Sequence, residues 1–248
     1  MCELFVARAA RPFRVAELWP FAERLERYGI AGFGWGATWR RADGELWTHR
    51  DVRAFRDDAR GRAAVGAEET TSLLVHLRRP SRLSTVGLPD TQPFPDPAGR
   101  FAFGHNGDLR HFGPFRARYR AAGRIHGRAD SEVVARWLED EWERGRPGLL
   151  LAELHDAMGG QANLAAIGRD GSLHLYAGNR ENPVFRFRLP DKGPPGGIEV
   201  AATGIYSLDR SLFRFVCPTA VERRAVRHLT ACSLAPAGPA GQPIRQPG

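Results

Sequence analysis

ANLAAIGRDGSLHLYA, residues 162–177, reads as two short apolar strands, Leu164–Gly168 and Leu173–Ala177, joined by Arg169–Asp170–Gly171. A short connection ending in glycine between apolar runs is a hairpin signal. Downstream, Pro183–Leu189, Ile198–Ala202 and His228–Leu234 add further strands. Upstream lie two helices. One is opened by Asp130–Ser131–Glu132, with Val133, Val134, Trp137, Leu138 and Trp142 along one side, and the other runs from Pro147 to Gly159–Gly160. Before them the chain is strand-rich again, with predicted strands at 2–8, Gly34–Trp39, Glu45–His49, Ser72–Leu77 and Phe101–Gly104. A helix is expected over Leu18–Arg27, with Pro20 tolerated in its first turn, and another running from an Asp51 N-cap toward Ala63. Pro80–Arg100 reads as a loop, and His105–Asn106–Gly107–Asp108 as a sharp turn, because Asn-Gly is a strong turn signal. Hairpins dominate and no βαβ alternation is evident, which predicts antiparallel sheets combined with helices, an α+β class. Periodicity does not say how the sheets stack.

The 248 residues, 42% apolar, suffice for one well-buried domain, expected over residues 2–234. Ala235–Gly248 is rich in Pro and Gly and is expected to be a disordered tail. No apolar run approaches the ~18 residues of a membrane helix. Arg8, Arg11 and Arg14 stand near the N-terminus with no apolar block behind them, which argues against a secretory signal. The net charge of +8 does not read as a nucleic-acid footprint. Of 36 basic residues only Lys192 is a lysine, and the arginines are scattered among acids, as in Arg53–Arg62, instead of clustering on one face. The three cysteines, Cys2, Cys217 and Cys232, form neither a disulfide framework nor a metal-type spacing, so a reducing cytoplasm is the expected compartment and no metal or cofactor is implied.

Cys2 differs from the other two by its place. Removal of Met1 leaves it with a free α-amino group, whose reference pKa of about 7.7–8.0 suits a base near neutrality. One residue then supplies both nucleophile and base. Asn106 and Gly107 offer a side-chain amide and a backbone N–H that can converge on a developing oxyanion. Arg78, at the end of an apolar strand, is suited to bind a carboxylate bidentately. Asp130, at a helix start, is suited to an ammonium. Each feature also has an ordinary structural counterpart: a core cysteine, a strand-ending turn, a solvated arginine, a helix cap.

Their combination and order are more specific. Met1–Cys2 before an apolar strand, Gly34–Trp35–Gly36, His76-x-Arg78, Pro93–Phe94 before His105–Asn106–Gly107, and Asp130–Ser131–Glu132 together resemble the class II glutamine amidotransferases, a family of N-terminal-nucleophile (Ntn) hydrolases. The resemblance covers about residues 1–140. In size the chain is similar to stand-alone members such as the γ-glutamyl amidohydrolase of ergothioneine biosynthesis. The resemblance implies an αββα sandwich of two antiparallel sheets and hydrolysis through a γ-glutamyl thioester. It assigns Cys2 as nucleophile, Asn106 and Gly107 to the oxyanion hole, Arg78 to the substrate α-carboxylate and Asp130 to its α-amino group. Ser81 keeps the hydroxyl the family places after its His-x-Arg, whereas Arg79, Pro80, Gln92 and Ala129 depart from the pattern. These departures flank the expected glutamyl pocket and bear on substrate identity.

The expected activity is therefore cleavage of the γ-amide of glutamine or of a small-molecule γ-glutamyl amide, with no nucleic-acid or membrane partner. Two rivals remain. One is a glutaminase subunit supplying ammonia to a separate synthase partner, since a chain of this length is expected to lack a synthase domain. The other is a non-catalytic binding protein on the same fold.

Overall fold

The computed structural model describes residues 2–205 and 213–234; Met1 and the expected tail at 235–248 lie outside the described residues. A seven-stranded antiparallel sheet contains β1 (Glu3–Arg14), β2 (Trp35–Arg40), β3 (Leu46–Asp51), β4 (Glu69–Leu77), β9 (Val184–Leu189), β10 (Ile198–Thr203) and β11 (Val221–Ala225), in the order β11-β9-β10-β1-β4-β2-β3. A five-stranded sheet contains β5 (Phe94–Pro95), β6 (Phe101–Leu109), β7 (Gly160–Gly168), β8 (Leu173–Gly178) and β12 (Ala231–Leu234), in the order β12-β8-β7-β6-β5. The helices are α1 (Trp19–Tyr28), α2 (Ala59–Gly66), α3 (Gly113–Ala121), α4 (Asp130–Glu141), α5 (Pro147–Met158) and the short α6 (Phe213–Val216).

Strand parity explains the layering, because successive side chains point to opposite faces. On β1, Phe5 and Ala7 join the core that includes Trp19, Phe21 and Leu25 of α1, whereas Leu4 and Val6 join a second core with Leu173, Leu175 and Ile167 of the facing sheet. On β6, Phe101 and Phe103 meet Val134 and Leu138 of α4 in a third core, whereas Ala102 turns to the facing sheet. Three apolar cores thus separate four layers, and the sheets stack as the αββα sandwich. Both sheets are buried on both faces, so their central strands read as apolar runs instead of alternating.

The expected hairpin at 169–171 joins β7 to β8, whose register sets Ile167 opposite Leu173. Three local expectations are corrected. His105–Asn106–Gly107–Asp108 is not a turn; it lies inside β6, where Asn106 pairs with Asn163 and Gly107 with Ala162. Gly107 takes φ +127, and a Cβ there would stand 2.0 Å from the Gln161 carbonyl oxygen, so the glycine serves close strand approach. Pairing along the whole length of β7 overrides the local turn preference of Asn-Gly. Asp51 ends β3, and it is the buried Asp58 that caps α2, accepting from Gly61 N at 3.0 Å while holding Trp35 Nε1 at 3.1 Å. His228 does not begin a strand; β12 is shorter, and β11 and α3 were not anticipated. No described helix is long and apolar enough to cross a membrane.

Candidate active site

Pairing of β1 with β4, Glu3 opposite Leu77, sets Cys2 beside the residues that follow β4. Cys2 shares the inward parity of Leu4 and Val6 and is buried at 8% exposure. Its Sγ donates to the Arg79 carbonyl oxygen and accepts from the Arg79 N–H, both at 3.3 Å. Burial pushes the Cys2 thiol above its ordinary pKa, against the stabilising effect of the Arg79 N–H and of the nearby Arg78 charge. A thiol in this setting needs a base to become a nucleophile.

From the facing sheet, β6 brings Asn106 and Gly107. The Asn106 side-chain amide donates to the backbone carbonyl of Cys2. Gly107 lines a cavity of about 280 Å³ that opens beside Cys2. Gly104, two residues before Asn106 on the same face of β6, faces Leu4, Gln92 and His76.

Arg78 emerges just beyond β4 into the same cavity and is 3% exposed. Its Nη2 donates to the Thr85 carbonyl at 2.6 Å and to Thr85 Oγ1 at 3.1 Å. Its Nη1 is buried without a hydrogen-bond partner. Burial lowers the pKa of this guanidinium from its ordinary value, yet an arginine of this kind stays charged at neutral pH. Leaving a charged donor unsatisfied in a buried position is costly, and the group is placed to complete its bonding with an anion.

Asp130 begins α4 on the other side of the cavity. Its side chain does not cap the helix from outside. It accepts from Leu109 N at 3.1 Å and from Ser131 N at 2.9 Å, which ties α4 to the end of β6. His105 stands between the two walls, with Nε2 at 3.1 Å from the Gly107 carbonyl oxygen and 3.7 Å from Asp130 Oδ2. Ser81 lies at the rim with its hydroxyl donating to Asp108 Oδ1 at 3.1 Å.

The other five residues singled out as a site in the sequence thus meet around Cys2: Arg78, Ser81, Gly107 and Asp130 line one cavity with it, and Asn106 bonds its backbone. Sequence reasoning missed Thr85, the anchor of Arg78, and the positioning part of His105. Gln92 stood out only as a departure; it is buried, with Oε1 accepting from His105 N at 2.5 Å. Arg79, another of the departures, lines the cavity but turns its guanidinium to the Ile30 carbonyl at 3.2 Å and over the Phe33 ring.

A second cluster, His49, Asp51 and Asp58, has the residue types of a metal site. Arg53 occupies that role instead, reaching Asp51 Oδ2 at 2.8 Å and Asp58 Oδ1 at 2.7 Å.

No known family profile and no curated protein sequence matches the chain. Solved structures do. The chain is similar to glutamine phosphoribosylpyrophosphate amidotransferase from B. subtilis in complex with ADP and GMP, with a TM-score of 0.66 and 16% identity over 94% of this chain and 48% of that one. It is similar to a predicted glutamine amidotransferase from Pseudomonas aeruginosa (TM-score 0.58, 16% identity, 97% of this chain and 100% of that one). It is also similar to a glutamine aminotransferase class-II domain protein from Silicibacter pomeroyi (TM-score 0.57, 18% identity, 93% and 94%). The chain thus spans about half the length of the B. subtilis enzyme and nearly the whole of the other two. At these identities the likeness is one of fold: the chain is an α+β sandwich of two antiparallel sheets between helices, the fold of these amidotransferase structures.

Proposed function

We propose that residues 2–234 act as one class II glutamine amidotransferase-type domain that hydrolyses the γ-amide of glutamine or of a γ-glutamyl amide, with Cys2 as N-terminal nucleophile. The observation that carries this reading is the cavity beside Cys2, in which a buried arginine with an unpartnered Nη1 faces the side that carries Asp130. A glutamyl head group is a zwitterion. Its α-carboxylate suits Arg78 and its α-ammonium suits Asp130, and their placement leaves the γ-amide to reach toward Cys2. Ser81 closes the rim of this pocket.

In the proposed reaction the α-amine of mature Cys2 takes the thiol proton, and the sulfur attacks the γ-carbonyl carbon. Charge on the carbonyl oxygen is met by the Gly107 N–H and the Asn106 amide. The C–N bond breaks, and the departing amine takes the proton from the α-ammonium. Water then adds to the thioester carbon, the C–S bond breaks, and glutamate leaves with the thiol restored. No cofactor enters this scheme. Cys2, Cys217 and Cys232 are all free cysteines, which suits a reducing compartment such as the cytoplasm. A separate synthase partner is the natural recipient if the released amine is ammonia.

The test is direct. Purified protein is weighed by intact mass spectrometry and assayed for glutamate release from glutamine and from γ-glutamyl amides. The expected result is a chain beginning at Cys2 whose activity disappears in Cys2→Ala. An active chain that retains Met1, or full activity in Cys2→Ala, overturns the mechanism.

A further inference from the structure

Gln92 is buried, and its side chain lies against His105. The strand pair β5–β6 is short, with Phe94 opposite Phe103 and Pro95 opposite Ala102. Continuing that register sets position 92 opposite position 105, where the ladder has already ended. The Gln92 side chain stands in for the missing strand. Its Oε1 accepts from His105 N at 2.5 Å, and its Nε2 lies 3.5 Å from His105 Nδ1.

These contacts fix where the imidazole proton sits. A backbone N–H can only donate, so the amide oxygen of Gln92 faces it and the amide nitrogen faces the ring. Nδ1 then meets a donor and offers its lone pair. At the other end of the ring, Nε2 lies 3.1 Å from the Gly107 carbonyl oxygen, which can only accept, so Nε2 carries the proton. Both ends specify one form, the neutral imidazole protonated on Nε2. The neighbouring imidazole, His76 on β4, is neutral as well. Burial, with His105 and Arg78 close by, pushes its pKa well below the ordinary value, and its Nε2 donates to the His105 carbonyl at 3.1 Å.

The charge of His105 matters because of Asp130, whose Oδ2 is 3.7 Å from Nε2. The carboxylate takes backbone N–H groups from Leu109 and Ser131. Among the described residues no arginine forms an ion pair with it. Arg116 of α3, whose field reaches Asp130, is spent on the carbonyls of Arg128 and Ala129 at 2.9 and 2.6 Å. The negative charge of Asp130 is therefore open as long as His105 is neutral. An imidazolium at the same place pairs with Asp130 and competes with any ammonium brought to it.

Resting on the reading of the site as one for a γ-glutamyl head group, we propose that Gln92 is a positioning residue: it fixes His105 in the neutral form protonated on Nε2, which holds the Gly107 carbonyl and leaves the Asp130 carboxylate free for the substrate α-ammonium.

Two measurements test this. Ring-nitrogen NMR of the wild-type chain, with the His105 signals assigned through its own backbone, is expected to show the neutral form protonated on Nε2 at neutral pH. Gln92→Glu keeps the oxygen that accepts from His105 N and puts a second oxygen opposite Nδ1. That oxygen calls for a proton on Nδ1, so the doubly protonated ring is expected. The kinetic arm uses the γ-glutamyl substrate, glutamine or γ-glutamylglycine, whichever is cleaved faster, and glutarate, a competitor that has no ammonium. In Gln92→Glu, KM is expected to rise about fivefold or more, the lower end of coupling between two ligands. The value of kcat changes less, and the inhibition constant of glutarate does not rise. A wild-type ring protonated on Nδ1, or on both nitrogens, overturns the inference. So does an unchanged KM, or equal weakening of substrate and glutarate, and each of these leaves the amidase reading intact. A wild-type protein that hydrolyses neither substrate overturns the amidase reading, and this inference with it.

Discussion

Two concave surfaces on this molecule invite comparison. One is the cavity of about 280 Å³ at Cys2. The other, further along β1, is a groove of about 590 Å³ that includes Arg8, Arg186, Arg188 and Arg224. The larger one is also rich in arginine, yet most of its charge is spoken for. Arg186 Nε donates to Glu199 Oε1 at 2.5 Å, Arg188 pairs with Glu222, and Arg8 donates to the Gly171 carbonyl at 2.8 Å. The smaller one holds a buried thiol and a buried guanidinium nitrogen with no partner. What distinguishes a site from a dent is therefore unspent bonding capacity in a place shielded from water, since such groups are costly unless something binds them. Volume alone favours the larger groove, and charge count does not separate the two, since each is lined by four arginines and two carboxylates.

The largest expected effect sharpens this contrast at the thiol. Cys2→Ala is predicted to lower turnover by roughly 10³-fold or more, with a melting temperature close to wild type. The same substitution at Cys217, which sits in the core under α1 and α6, is predicted to lower the melting temperature and leave kcat/KM intact.

The next effect concerns Glu3, the neighbour of Cys2 on the opposite face of β1. It is fully buried, with Oε2 accepting from Thr203 Oγ1 at 3.2 Å and Oε1 unpartnered. Burial pushes its carboxyl up to about 8, from an ordinary value of 4.5. The folded chain therefore keeps a proton that the unfolded chain has already lost. Its contribution to stability is full below about pH 4.5 and is lost as pH rises to about 8. Glu3→Gln is predicted to match wild type at pH 4 and to exceed it at pH 8 by an order of a few kcal/mol. Denaturant unfolding at the two pH values checks this, and parallel curves for both proteins would break the contrast at this position.

Arg78→Ala is predicted to cost about 1.5–3 kcal/mol of transition-state binding, roughly ten- to a hundredfold in kcat/KM. The loss is expected to be equal for glutamine and for γ-glutamyl amides, because the α-carboxylate is common to both. Unequal losses would move Arg78 from the head group to the leaving group. The smallest effect belongs to the larger groove. Arg186→Ala is predicted to change stability by about 0–1 kcal/mol and to leave kcat/KM unaltered. A large kinetic effect there would show that the paired groove communicates with Cys2.

Much of the site was legible in the sequence because its residues are fixed by short-range features. Cys2 is marked by its position in the chain, Arg78 by its place after an apolar strand, and Asp130 by the start of an apolar-faced helix. Asn106–Gly107 was legible as a pair but misread as a turn, since a local preference gives no hint of the β7 partner that holds it flat. Thr85 carries no sequence signal at all: it matters because the loop after β4 folds back and sets its carbonyl and hydroxyl against Arg78. Arg79 shows the same limit from the other side. It lines the cavity beside Cys2 with its neighbour Arg78, but its guanidinium turns to Ile30, more than forty positions earlier in the chain.

The sequence by itself determined the class of the fold, since hairpin spacing and the period of apolar residues depend on a few neighbouring positions. It also determined which residue types were on hand for chemistry. Only the tertiary structure decided that two sheets stack face to face, that β1 and β6 bring Cys2 and Asn106 together across that interface, and that one guanidinium nitrogen of Arg78 is left without a partner. The physical reason is range. Backbone preference and strand periodicity act over a few residues, whereas burial and the satisfaction of a buried charge depend on every segment packed around it, from Thr85 to Asp130.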